Sequence, residues 1–337
     1  MKKTLNQLFF ILFSCSFLLL LLIYSKECIN LASKGLLIWY QNMIPSLFPF
    51  MVLSGFLVRT GISYKIGTLL RPFLGIFLPL PSHMLYVVFM GFLCGFPMGA
   101  KIVTDMMEKE QISKQEGQYL LSFCNNIGPL YMMGYVIPLF HYQNPWLILG
   151  LMYFIPILYG LFSYIILYLR CNSPFKKNGF INNKEIKKAE FIPSPIHYNK
   201  ENSINYLTCF QESLSSAIEQ ITLLGGCMVF FNTLLIIPNK LMLLVSSALP
   251  FTHMDYFQGI LCSLIEIGGG LHQLATQNPN NTLSACFIIS LLTFGGLSCM
   301  IQTFFIIKNT GLNIFTYLKH KTIQSCIYIL LYIILNS

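Results

Sequence analysis

The sequence predicts an all-α, polytopic helical membrane protein with inverted repeats and two re-entrant helical hairpins. Composition is the first observation: 55% of residues are hydrophobic and only 10% charged, at a mean hydropathy of +0.65. A water-soluble domain carries about 25% charged residues, so this chain lacks the polar surface that water requires. Second, several apolar runs approach the roughly 20 residues that span a bilayer, and the alternating short segments of a transmembrane barrel are absent. Third, glycine and proline interrupt those runs at corresponding places in the two halves, for example "GFPMGAK" at 95–101 and "EIGGGL" at 266–271.

The apolar runs fall at 8–24, 43–58, 72–97, 118–138, 146–169, 222–237, 241–275, 284–307 and 322–335. The first has the charged start of a signal peptide but no clean small-residue cleavage site after it. It therefore reads as an uncleaved transmembrane helix within residues 1–27. Lys2 and Lys3 put the amino terminus on the cytoplasmic side, so 8–24 runs outward and 43–58 returns to Arg59, Lys65 and Arg71. Residues 170–205 carry seven Lys/Arg against three Glu and read as a cytoplasmic basic linker between a first repeat, 28–169, and a second, inverted one, 206–337.

Because 146–169 must end at that linker and 118–138 must run outward, 72–97 has both ends on the cytoplasmic side. It is expected to be a hairpin that turns at "PLPSH" (79–83). By the same reasoning 241–275 folds back at "LPFTHMD" (249–255) with both ends outside. The stretch "INYLTCFQESLSSAIEQI" (204–221) is amphipathic and is expected to lie along the membrane surface. A shift of 168 residues aligns Gly91, Leu93 and Cys94 with Gly259, Leu261 and Cys262. It also aligns Ser122, Gly128 and Met132 with Ser290, Gly296 and Met300.

Four interruptions then define a candidate site: "GFPMGAK" and "EIGGGL" in the hairpins, "CNNIGP" (124–129) and "FGGLS" (294–298) in the spans that follow. A break inside an apolar helix strips backbone NH and CO groups of their partners, at several kcal/mol each in hydrocarbon. Those groups must meet each other, water or a ligand, and paired discontinuous helices mark midplane substrate sites in transporters. Close packing through small residues is the competing explanation of such glycines. The candidate substrate-binding residues are Pro97, Gly99, Lys101, Asn125, Asn126, Gly128, Pro129, Glu266, Gly268, Gly269, Gly295, Gly296, Ser298 and Gln302. Lys101 follows its break directly and is expected at the cavity mouth or at the cytoplasmic interface. For Glu266 the readings are proton carrier, cation ligand or partner of Lys101.

Other classes are disfavoured. The net charge of +9 reflects lysines in loops rather than nucleic-acid binding. The 11 cysteines are scattered without metal-type spacing and read as small core residues. P-loop, HExxH, nucleophile-elbow and dinucleotide signatures are lacking, so no enzyme activity and no cofactor are expected, a coupling ion or proton aside.

With these motifs, together with "NMIPSLFPFMVLSGFL" (42–57), "CNNIGPLYMMGYV" (124–136) and "FGGLSCMIQTFF" (294–305), the chain resembles the sporulation integral membrane protein YlbJ family. That family falls in a wider group sharing the nucleoside-recognition Gate domain, so the two repeats would be Gate-like. The resemblance implies a transporter required for spore formation that moves dipicolinic acid, a small planar dianion, from mother cell towards forespore across the outer forespore membrane. The partners it implies are a small anionic substrate and the lipid bilayer, with no nucleic acid. Broken-helix amino ends, amides and a lysine suit carboxylates chemically. The alternatives are nucleosides or a metal ion as substrate, or a non-transporting sporulation scaffold.

Overall fold

The computed structural model describes residues 2–140, 145–170, 205–248, 254–275 and 282–336, and every regular element among them is helical. In chain order the first half holds α1 (Lys2–Ile23), α2 (Ser25–Ile38), α3 (Ile44–Arg59), α4 (Ile62–Leu74) and α5 (Ser82–Cys94). It continues with α6 (Met98–Glu108), α7 (Lys114–Cys124), the single turns α8 (Pro129–Tyr131) and α9 (Ile137–Leu139), and α10 (Pro145–Arg170). The second half holds α11 (Tyr206–Leu234), α12 (Ile236–Ala248), α13 (Met254–Ile265), α14 (Ile267–Ala275), α15 (Thr282–Phe294), α16 (Gly296–Ile307) and α17 (Ile314–Asn336). Wide π-type turns at Trp39–Met43 and Met132–Val136 join α2 to α3 and α8 to α9. Four helical stretches among the described residues are long and apolar enough to cross a bilayer: Ser25–Arg59, Pro145–Leu167, Tyr206–Ser246 and Phe287–Ile307. The chain is an all-α polytopic membrane protein. Apart from residues 170 and 205, the expected basic linker lies outside the described residues.

The longest pairing sets α2 and α3 antiparallel to α11. Gly35 permits it, because a Cβ there would come within 2.8 Å of the Met228 carbonyl oxygen. Trp39 Nε1 donates to the Ile221 carbonyl at 2.9 Å. Ion pairs close both ends: Arg59 with Glu212 at 3.3 Å and Lys240 with Glu27 at 2.7 Å. Two expectations change here. The run expected over 43–58 is the second part of a helix that already starts at Ser25; Lys26, Glu27 and Lys34 hide its beginning from hydropathy. The stretch 204–221 is not a separate surface helix, for α11 runs unbroken from Tyr206, with Ser213 against Gly55 of α3. Small residues on both helices make that packing more favourable than lying flat at an interface.

In the first half the chain reverses twice. It turns between α4 and α5, where Gly67 abuts the Ser82 carbonyl, so the reversal expected at "PLPSH" is present. It turns again between α5 and α6 at Gly95–Pro97, a reversal that local sequence rules did not locate. Gly91 and Gly99, equidistant from that tip, both face the Cys124 carbonyl oxygen. In the second half α12 and α13 lie side by side, Gln258 donating to Asn239 Oδ1 at 2.7 Å. The expected fold-back at 249–255 lies largely outside the described residues. A tight reversal then follows at Glu266, setting Gly259 against Leu274 and Gly270 against Ser263.

The element order thus recurs. Shifting α7 and the α8–α9 segment by 168 residues gives 282–292 and 297–307, against 282–294 for α15 and 296–307 for α16. The buried centre is α5 with its neighbours α6 and α7, where Met84, Leu85, Tyr86, Val87, Ala100, Ile102 and Leu120 have no exposed surface.

Candidate functional site

Both tips and both broken spans meet at one place. Gly95 at the first tip has φ +89° and a Cβ there would meet Gly128 N at 2.3 Å, so tip and break touch backbone to backbone. The second pair repeats this contact: Gly296, at φ +72°, abuts the Ser263 carbonyl oxygen at the end of α13. The halves also cross over. Phe96 of the first tip packs on Gly295, and Tyr135, beyond the first break, donates to the Gly268 carbonyl at 3.1 Å.

Three carbonyls at the first break are met by side-chain donors, as their depth in an apolar protein favours. Ser122 O accepts from Gln324 Nε2 at 2.7 Å, Phe123 O from Asn126 Nδ2 at 2.6 Å, and Ile127 O from Tyr153 Oη at 2.9 Å. Asn125 donates to Thr303 Oγ1 at 3.2 Å and Tyr317 Oη at 2.9 Å, while its Oδ1 accepts from Ala100 N at 3.4 Å. Asn126 Oδ1 accepts from Lys321 Nζ at 2.6 Å. Asn125, Asn126 and Lys321 are all fully buried.

At the second tip Glu266 is 2% exposed. Its Oε2 accepts from Gly269 N at 2.6 Å and Asn232 Nδ2 at 3.1 Å, so the carboxylate sits at the amino end of α14 and tethers the tip to α11. A Cβ on Gly269 would come within 2.3 Å of Asn232 Oδ1, which is why the tip lies so close to that helix.

A cavity of about 50 Å³ opens where these parts converge. Phe96, Gly128, Tyr131, Met228, Glu266 and Gln302 are among its walls, drawn from both tips, both broken spans and α11. That volume holds a few waters in this conformation. A wider recess of about 270 Å³ adjoins it, sharing Ser46, Leu130 and Tyr131 and adding Gln41, Asn42 and Tyr135.

Of the residues predicted from sequence, Gly128, Glu266 and Gln302 line the cavity. Gly268, Gly295 and Gly296 form its immediate backing, and Ser298 Oγ accepts from Gln302 Nε2 at 3.0 Å. Pro97, Gly99 and Pro129 shape the tip and the break behind the wall, and Asn125 and Asn126 hold the break without reaching the cavity. Lys101 is not among the lining residues. It is paired on its own helix with Asp105, not with Glu266. A turn of helix α6 separates it from the tip.

Sequence reasoning missed Lys321, Tyr131, Tyr135, Asn232 and Phe96. For Lys321 a signal existed. Tyr317, Lys321, Gln324 and Tyr328 recur at helical spacing along α17 and all four are fully buried, a polar stripe inside an apolar helix.

The chain is similar to the sporulation integral membrane protein YlbJ of Bacillus subtilis (strain 168), at 26% identity over 302 residues, 83% of this chain and 71% of that protein. No family model matches it, and no solved structure does. At that coverage the likeness extends into both halves of the chain.

Proposed function

We propose that this protein is a sporulation membrane transporter of that family, carrying a small solute by alternating access through the cavity between its hairpin tips. One observation carries the reading: two tips and two broken helices, drawn from both halves, converge on a single cavity with a buried carboxylate in its wall. Helix breaks with matched positions in two halves are the device by which transporters expose backbone groups to a solute. A scaffold has no use for them. The recurrence of the element order at a 168-residue shift supports two structural repeats, and the expected opposite orientation would make both tips re-entrant.

The substrate we propose is dipicolinic acid, moved from mother cell towards forespore across the outer forespore membrane, with the amino terminus cytoplasmic. The resemblance of the motifs and the name of the Bacillus relative support sporulation as the setting. Glu266 is the group we assign to a coupling proton or cation, because it is the carboxylate among the cavity's lining residues. We propose no enzymatic role.

The test is genetic. Deleting the gene in a spore-former should leave dipicolinic acid in the mother-cell fraction and deplete the spore. Normal spore loading would overturn the substrate. Glu266→Gln keeps the size and hydrogen-bonding shape of the side chain, so it should reach the membrane yet abolish loading. Normal loading by that variant would remove Glu266 from the mechanism.

A further inference from the structure

Lys321 is a fully buried cation for which the proposed mechanism has so far no use. Its ammonium carries three donors. Asn126 Oδ1 takes one at 2.6 Å, and the face of Phe96 lies 5.1 Å away, with Tyr317 at 5.9 Å. No carboxylate forms an ion pair with it among the described residues. Removing a charge from water costs several kcal/mol, and one neutral amide and two ring faces return only part of that. A structural hydrogen bond to Asn126 needs no charge at all, since a glutamine could make it.

Position supplies the use. Phe96 is at once the ring over Lys321 and a wall of the cavity, and it sits on the first tip, packed on Gly295 of the second broken span. The aromatic ring is therefore the partition between the cation and the cavity.

Resting on the transporter reading above, we propose that Lys321 is the anion-binding residue of the site, covered by Phe96 in this conformation and presented to a substrate carboxylate when the first tip swings away. Glu266 faces the cavity from the other tip, so the site has a cationic side behind the first tip and its break and an acidic side at the second tip. Both charges are carried by the second half of the chain. Such a pair of sides suits a dicarboxylate whose first group meets Lys321 and whose second is admitted only with Glu266 neutralised. Lys101, committed to Asp105, leaves this role to Lys321.

The experiment uses the full-length protein in liposomes, titrated with dipicolinate and, separately, with uridine. Wild type should bind dipicolinate. Lys321→Met, which keeps length and packing, should weaken that binding by about tenfold or more, the worth of a charged hydrogen bond, whereas Lys321→Arg should retain most of it. Phe96→Ala should tighten binding about threefold or more, because the cation no longer gives up its aromatic cover. That variant decides the matter should Lys321→Met fail to fold. If wild type binds dipicolinate and Lys321→Met binds it equally, or if Phe96→Ala leaves affinity unchanged, the Lys321 assignment is wrong while the substrate stands. If wild type binds uridine and not dipicolinate, the substrate reading and the Lys321 assignment both fall.

Discussion

The two broken spans occupy equivalent places yet are built differently. In the first, Asn125 and Asn126 are held by side chains from α16 and α17, among them the buried Lys321. In the second, Gly295 and Gly296 take left-handed backbone angles and no side chain of theirs reaches out. The tips reverse that allocation: the first ends in Gly95, Phe96 and Pro97, the second in an ionisable Glu266. Both charged groups come from the second half, but the cation stands behind the break of the first half and the carboxylate at the tip of the second. Equivalent backbone positions can share a scaffold while dividing the charge. The asymmetry makes the halves respond differently to the same kind of change.

The largest difference is expected from removing the amide that holds the cation. Asn126→Leu leaves Lys321 without its one hydrogen-bond acceptor among the described residues and should cost about 3–5 kcal/mol. Adding Lys321→Met should recover a good part of this, since an apolar pair replaces an orphaned charge. The equivalent position of the second half, Phe294, makes no such bond, and Phe294→Leu should cost about 1 kcal/mol. Thermal unfolding of the purified variants in detergent reads all three. A double variant no more stable than Asn126→Leu would mean that Lys321 is not the source of the cost.

Next come the paired glycines. Gly128→Ala meets the Cys94 carbonyl oxygen at 2.7 Å with ordinary backbone angles, whereas Gly296→Ala meets Ser263 O at 2.8 Å and must also hold φ +72°. Both tips should be pushed from their breaks, Gly128→Ala at about 1–3 kcal/mol and Gly296→Ala at a further 1 kcal/mol or so. Equal losses would show that backbone angle contributes nothing at the second break.

How far the sequence disclosed this arrangement follows from the range of each signal. Hydropathy is a local sum, so α10 and the interrupted spans α7–α9 and α15–α16 are readable within a few residues. It fails at Ser25–Lys34, where polar residues front a helix that tertiary contact with α11 completes. Glycine and proline disclose that a helix breaks, as at "GFPMGAK", but not whether the chain then continues or reverses. That choice is made by the contact of Gly95 with Gly128, some thirty residues away in sequence. Glu266 and Gln302 are conspicuous in apolar surroundings and were found. Lys321 was concealed by Lys319 and His320, because a cluster of bases beside an apolar run reads as a cytoplasmic flank, and only its helical spacing with Tyr317, Gln324 and Tyr328 sets it apart.

The smallest effect separates the rim from the centre. The pairs Arg59–Glu212 and Lys240–Glu27 clamp opposite ends of the α2–α3 and α11–α12 packing, and in each the carboxylate is more than half exposed. Solvent and salt screen such pairs to about 0.2–1 kcal/mol. Glu27→Gln and Glu212→Gln should therefore each lower the unfolding temperature only slightly, by an amount that shrinks further as salt is raised, and leave spore loading unchanged. A loss comparable with that of Asn126→Leu at either end would mean that the long helix pair, rather than the buried network around the first break, holds the two halves together.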